Sequence, residues 1–280
     1  MPMPRGGPSK AGQEVDVLIP TYQRPTALAV TLAGLAAQTR PPDRILISDQ
    51  SPAGQGAATD HVEAMVRVLE LRGSEVRRHV HLPRRGLAEH RDFLLSETRA
   101  DHALFLDDDV WIEPNLVERL LRAIQRGRCG FVGSAVIGLS HQHDVRPEEQ
   151  SVEFWPGPPE PESVRPHGRA WQRHRLHNAA NLLHLRQRLA PSEDRLYKVA
   201  WVGGCVLYHT ATLRAAGGFA FWRDLPLEHS GEDVLAQMRV MERAGGAGLF
   251  PSGAYHLELP TTVPVRTVDA PVMLAGTSTG

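Results

Sequence analysis

Between residues 15 and 136, short apolar runs alternate with helical stretches, and the first two and the fourth of these runs give way to polar residues. Residues 15–20 read as a strand stopped by Pro20, and 27–38 as an Ala/Leu-rich helix with Thr26 ahead of it. Residues 44–48 are a second strand, ending at Asp49-Gln50-Ser51-Pro52. A helix over 57–71, a short strand over 76–81 and a helix over 88–97 follow. A strand into Leu104-Phe105-Leu106, a helix from Pro114 to near Gly127 and a strand over 130–136 complete the run. Strands joined through helices pair in parallel. The pattern predicts an α/β fold with a mostly parallel sheet, doubly wound and of the nucleotide-binding type. Sheets of this kind bind ligands beyond the carboxyl ends of their strands.

The strand at Leu104 runs straight into Asp107-Asp108-Asp109. Adjacent carboxylates repel one another, and burying one without a partner costs several kcal/mol. Such a triplet is stable in water or beside a cation, and Mg²⁺ and Mn²⁺ take carboxylate, phosphate and water oxygens as ligands. Taken alone, the triplet is equally consistent with an acidic turn ahead of the Pro114 helix. Two further acidic positions fall where such a sheet gathers its ligand contacts. Asp49 ends the second strand, and Glu232-Asp233 open an amphipathic helix over 234–244. His256 lies in a further extended run over 254–257.

A chain of 280 residues is long enough for one large α/β domain or two small ones. A net charge of −1 gives no global reason to expect nucleic acid or a membrane as partner. Cys129 and Cys205 sit far apart in apolar stretches with no CxxC spacing, which suits a reducing cytoplasm. No signal-like apolar segment opens the chain, and no window of about 18 apolar residues spans a bilayer. The expectation is a cytoplasmic protein, at most peripheral to a membrane surface.

Residues 1–13 are Pro- and Gly-rich and predict a disordered start. After 137 the character changes: 141–166 is an irregular Pro/Glu-rich excursion. Residues 165–188 contain six arginines, four histidines and no acid. That stretch reads either as a solvated, partly disordered face or as a clamp for an anionic acceptor, with Trp171 available to stack on a sugar ring. Residues 198–208 return to strand character, 210–216 form a short helix, and 261–280 read as a flexible tail.

Seven stretches, in order over 15–258, resemble a family 2 glycosyltransferase of the inverting GT-A fold. They are Val17-Leu18-Ile19-Pro20-Thr21-Tyr22-Gln23-Arg24, Ile47-Ser48-Asp49-Gln50-Ser51, Gly86 through Asp92, Leu106-Asp107-Asp108-Asp109, Gly203 through Leu207, Gly217-Gly218-Phe219, and Gly231-Glu232-Asp233-Val234. The resemblance implies a nucleotide-sugar-binding half over 14–136 and an acceptor-binding, catalytic half of the same domain over 137–260. It implies that Pro20, Thr21, Tyr22, Arg24 and the Asp49-Gln50 turn hold the nucleotide, with Asp49 or Gln50 on the base. Arg91 would brace the base side. Asp107 and Asp108 would serve ribose or metal-bound water, and Asp109 and His256 would bind Mn²⁺ or Mg²⁺. Asp233 would be the general base.

The implied donor is a nucleotide-diphosphate sugar, UDP-linked by preference or else GDP- or dTDP-linked. The implied acceptor is a glycan, a lipid-linked intermediate or a small molecule. Two rival expectations are a nucleotidyltransferase-like sugar-nucleotide enzyme and an inactive scaffold that binds an anionic partner. The first calls for a basic, glycine-rich loop after the first strand, where this chain has Thr21-Tyr22-Gln23-Arg24-Pro25. The second leaves the acidic cluster without a use.

Overall fold

The computed structural model describes residues 13–263 and 265–274. Residues 1–12 of the expected disordered start and 275–280 of the expected flexible tail lie outside the described residues. The chain runs β1 (Val15–Thr21), α1 (Pro25–Ala36), β2 (Arg44–Asp49), α2 (Asp60–Leu71), β3 (Glu75–Val80), α3 (Leu87–Glu97) and β4 (His102–Leu106), in the expected alternation. Next come β5 (Val110–Ile112), α4 (Leu116–Gly127), β6 (Phe131–Gly133), β7 (Val136–Ile137), α5 (Asn181–Leu189), β8 (Arg195–Tyr197), β9 (Cys205–His209) and α6 (Thr210–Ala215). The last stretch holds β10 (His229–Ser230), α7 (Glu232–Ala244), β11 (Gly246–Phe250), β12 (Ala254–His256), β13 (Val268–Asp269) and α8 (Ala270–Leu274).

Among the described residues one eight-stranded sheet has the order β3-β2-β1-β4-β9-β6-β11-β8. Strands β1 to β4 are parallel, β9 is antiparallel to both β4 and β6, and β11 is parallel to β6. The sheet therefore draws strands from both halves of the chain. Leaving β1, the chain builds outward through β2 and β3, then returns to β1's other side with β4. The carboxyl ends of β1 and β4 thus flank a topological switch point, where a crevice opens.

Successive side chains on a strand face opposite sides, so each central strand feeds two cores. Val17, Ile19, Leu104 and Leu106 pack with Leu28 of α1 and Leu120 of α4. Leu18, Ala103 and Phe105 pack with Leu94 of α3 and Leu235 of α7 on the other face. Each such fully buried Leu or Phe contributes roughly 1.5–3 kcal/mol. Asp16, a carboxylate inside β1, pairs with Arg44 opposite it in the β1–β2 register and accepts from Thr98, so its burial is compensated.

Several sequence expectations are corrected. The strand expected over 130–136 divides into β6, in the main sheet, and β7, in a separate three-stranded sheet ordered β5-β12-β7. The break is held by Ser252, whose hydroxyl donates to the Ala135 carbonyl at 2.6 Å. The strand expected over 198–208 begins only at Cys205. The backbone N–H and carbonyl of Val202 both bond to the Gln237 side chain of α7 at 2.8 Å, so a helix side chain replaces a strand neighbour there. The basic stretch is folded as a 3-10 segment (Ala170–His177) and α5. Within the expected flexible tail, β13 pairs with β10, and α8 packs on α7 with Ala270 and Leu274 buried. No helix among the described residues is long and apolar enough to cross a membrane.

Candidate active site

A cavity of about 650 Å³ opens at the switch point. One side is built from Pro20, Thr21, Tyr22 and Arg24, where β1 turns into α1, and from Gln50 just past β2. Asp107, Asp108 and Asp109 form its floor, and His256 with Leu259, Thr261 to Val263, Val265 and Arg266 form the facing wall.

Thr21 and the triplet meet because β1 and β4 are neighbours: Thr21 Oγ1 donates to Asp108 Oδ2 at 2.6 Å. Arg24 Nη1 lies 2.6 Å from Asp109 Oδ2 and 3.4 Å from Asp108 Oδ1. Burial pushes the Asp108 carboxyl up to about 7, with the Thr21 hydroxyl opposing. Burial raises Asp109 as well, with His256 and Arg24 opposing. His256 arrives by strand pairing. β12 runs antiparallel to β5, setting His256 opposite Val110, and its Nε2 stands 3.5 Å from Asp109 Oδ2.

The Asp109 carboxylate suits Mn²⁺ or Mg²⁺ completed by phosphate and water, whereas His256 Nδ1 accepts from Glu258 N at 2.8 Å, so its Nε2 carries the ring proton and can serve as a ligand only once that bond is given up. Among the described residues no three such groups converge into a closed metal cage. An open two-sided site of this kind leaves positions for a diphosphate.

Asp49 and Gln50 divide in their surroundings. Both Asp49 oxygens accept backbone N–H groups, from Ser51 at 2.8 Å and Ala57 at 2.7 Å. A Cβ on Gly56 would fall 1.9 Å from Asp49 Oδ2, so a glycine is needed for the turn to close on the carboxylate. Gln50 lines the cavity at 5% exposure, and its Nε2 is buried without a hydrogen-bond partner. The amide is thus the group at the end of β2 left open to a ligand.

Arg91, buried on α3, turns toward the acidic floor. Its Nη2 donates to Asp107 at 3.0 Å and its Nε lies 3.2 Å from Glu232. It thereby joins β4 to the start of α7. That start is set by Gly231, in the left-handed region at φ 76°, where a Cβ would also meet Pro271 at 2.8 Å. Asp233, next along and partly exposed, is raised to about 7 by burial and then by the neighbouring Glu232 charge, against Arg91.

Sequence reading gave no role to Arg84, His90, Leu227 through His229 or Arg266, all of which line the cavity. Arg84 covers the Tyr22 ring at 3.6 Å. His90, bonded to Ser48 Oγ at 2.8 Å, is held neutral by burial, with its pKa near 3. An Arg84-Arg85 pair shortly after a strand was the available signal for Arg84. Among the described residues that line the cavity, none comes from the basic stretch over 165–188. Arg165 pairs with Glu242 at 2.6 Å, Arg173 with Glu162 at 2.7 Å, and Arg186 with Glu113 at 3.4 Å. Trp171 packs on Trp201, ring centroids 4.5 Å apart.

Known proteins share this architecture. The Staphylococcus aureus TarS fragment 1–349 superposes with a TM-score of 0.55 at 15% identity, over 87% of this chain and 60% of that one. The same fragment solved with UDP-GlcNAc gives 0.55 at 15%, over 89% and 60%. The mannosyltransferase PcManGT of Pyrobaculum calidifontis, solved with GDP-Man and Mn²⁺, gives 0.53 at 16%, over 89% and 58%. The chain spans about 60% of the length of these solved chains. No curated protein matches it in sequence. The sequence profile described as "Glycosyl transferase family 2" matches residues 16–180, more than half the chain and all of the β1, β2 and β4 ends that build the cavity floor. With a GT-A-like sheet and that match together, the chain belongs to glycosyl transferase family 2.

Proposed function

We propose that the protein transfers a sugar from a nucleotide-diphosphate sugar to an acceptor hydroxyl, with inversion and with a divalent cation. The observation that carries this reading is the placement of three groups around one crevice. An open amide, Gln50, stands at one side and the Asp107–Asp109 floor in the middle; the third, Asp233, does not itself line the cavity and follows Glu232, which Arg91 ties to Asp107.

Gln50 holds the base, Tyr22 and Pro20 flank it, and Asp107 and Asp108 face ribose or metal-bound water. Asp109 and His256 hold the cation, which when bound neutralises charge on the departing nucleoside diphosphate. Asp233 takes the proton from the acceptor hydroxyl as its oxygen attacks the anomeric carbon. A base works best when its pKa lies near the working pH, and a carboxyl raised to about 7 meets that condition. UDP is the favoured nucleotide, and the solved relatives carry UDP-GlcNAc and GDP-Man.

A thermal-shift screen of UDP, GDP, dTDP and CDP, each with Mn²⁺ or EDTA, tests the reading, since a ligand that binds the native state raises its melting temperature. A metal-dependent shift with one nucleotide that is lost in Asp109→Ala supports it. No shift with any nucleotide, in either condition, overturns it in favour of a non-catalytic scaffold.

A further inference from the structure

Arg24 makes contacts that holding a donor does not require. Its Nη1 lies 2.6 Å from Asp109 Oδ2, the same oxygen that His256 Nε2 approaches at 3.5 Å. The guanidinium therefore stands on the one carboxylate oxygen where the proposed metal ligands converge. Its other nitrogen, Nη2, donates to the carbonyl of Pro260. Pro260 lies between β12 and β13, in a segment whose Leu259, Thr261, Thr262 and Val263 wall the cavity. Leu257 and Glu258 are held apart from Arg24, by Leu257 N donating to the Asp109 carbonyl at 2.8 Å and by Ser140 N donating to Glu258 at 3.1 Å, but from 261 onward the bonds are local: Thr261 Oγ1 accepts from Val263 N at 3.2 Å and from Arg266 Nη2 at 3.1 Å. Arg24 ties the wall across the crevice to the start of α1.

Two cations cannot share Asp109 Oδ2 at contact distance without repelling each other, so the guanidinium and a divalent ion compete for it. An arginine displaced from a carboxylate finds an equivalent planar, bidentate partner in a phosphate. We propose that Arg24 is a resident counter-cation of Asp108 and Asp109 that yields its place to the divalent ion, turns to the donor diphosphate and lets go of Pro260. Cation entry, donor binding and release of the 259–263 part of the wall are then one coupled event. Only the diphosphate step rests on the nucleotide-sugar reading. Coupling of this kind is reciprocal: nucleotide tightens metal as much as metal tightens nucleotide.

The test is a calorimetric titration of Mn²⁺ alone into the native protein, Arg24→Ala, Arg24→Lys and Asp109→Asn, with hydrogen exchange followed over 259–263. Removing the competing cation is expected to tighten Mn²⁺ binding by about tenfold or more in Arg24→Ala, and to speed exchange over 259–263. Lysine keeps the charge but lacks the fork that spans carboxylate and carbonyl together. Arg24→Lys is therefore expected to bind Mn²⁺ as the native protein does, yet to show the faster exchange. Asp109→Asn should abolish Mn²⁺ binding. The proposal is overturned if Mn²⁺ binds Arg24→Ala no more tightly than the native protein, or if exchange over 259–263 is unchanged in both arginine variants. Because Mn²⁺ is titrated without nucleotide, this result stands apart from the nucleotide screen. A protein that binds Mn²⁺ as described but no nucleotide would lose the donor reading and keep Arg24's role.

Discussion

Asp107 and Glu232 lie 125 positions apart in sequence and share one guanidinium, with Arg91 Nη2 at 3.0 Å from the first and Nε at 3.2 Å from the second. The pairing fixes the end of β4 relative to the first turn of α7, and so the triplet relative to Asp233. Glu232 is 4% exposed and Arg91 5% exposed. Removing one partner from a buried pair leaves an uncompensated charge, typically at a cost of about 3–5 kcal/mol. Arg91→Ala is expected to lose about 3 kcal/mol or more, read as a lower urea midpoint at pH 8. A midpoint equal to the native one would show that the carboxylates do not depend on it.

Asp233→Asn removes the proposed proton acceptor and keeps the side chain's shape. Nucleotide binding with Mn²⁺ should be preserved, while turnover falls by about 10²–10⁴-fold, the usual contribution of a positioned base. Transfer at the native rate in this variant would exclude Asp233 as the base.

The pH dependence has a definite sign. As the proposed base, Asp233 would act only when ionised, and burial raises its pKa to about 7. The kcat/KM of the free enzyme should therefore climb about tenfold per pH unit below 7 and level off above it. The residual activity of Asp233→Asn should lack this limb. A native limb near pH 4 would place the proton acceptor elsewhere.

Gln50→Glu exchanges an amide, which both donates and accepts, for an acceptor-only carboxylate. Bases that offer a ring N–H, uracil and guanine, should still bind. Cytosine, whose ring nitrogen is an acceptor, should bind about tenfold or more weakly relative to uracil than in the native protein. Equal weakening of UDP and CDP in the thermal-shift assay would remove Gln50 from base contact.

Gly56→Ala tests the turn that locks Asp49. Its Cβ would lie 1.9 Å from Asp49 Oδ2, so the 50–57 loop must shift. We expect a loss of about 1–3 kcal/mol on the overpacking scale, with nucleotide binding weakened because Gln50 rides on the same turn. A native melting temperature would mean that the loop yields freely.

The ends of β1, β2 and β4 were legible in the sequence because each is a buried apolar run stopped by polar residues, and that local pattern survives folding. Asp107 through Asp109 and Gln50, which line the cavity, stand just past two of those ends, whereas Asp233 opens α7 and does not line it. The facing wall was not legible. It is short, poor in charge and without periodicity, and it is tied across the crevice by the Arg24–Pro260 hydrogen bond, which no local pattern encodes. The stretch over 165–188 was open to two readings in the sequence. It contains no acid of its own, yet Glu242, Glu162 and Glu113 pair with Arg165, Arg173 and Arg186 in the fold. The apolar run over 198–204 looked like a strand because its burial is real, although the partner for Val202 is the Gln237 side chain.

The order in which the crevice is assembled along the chain has a consequence for synthesis. The main sheet is finished once β11 reaches Phe250, but His256 and the rest of the facing wall follow it. The facing wall is therefore the last part of the crevice to be made, after every strand of the main sheet. Chains translate at about 5–20 residues per second and fold as they emerge. A chain clipped near residue 250 would keep every strand of the main sheet and the Asp107–Asp109 floor but lack His256 and the facing wall.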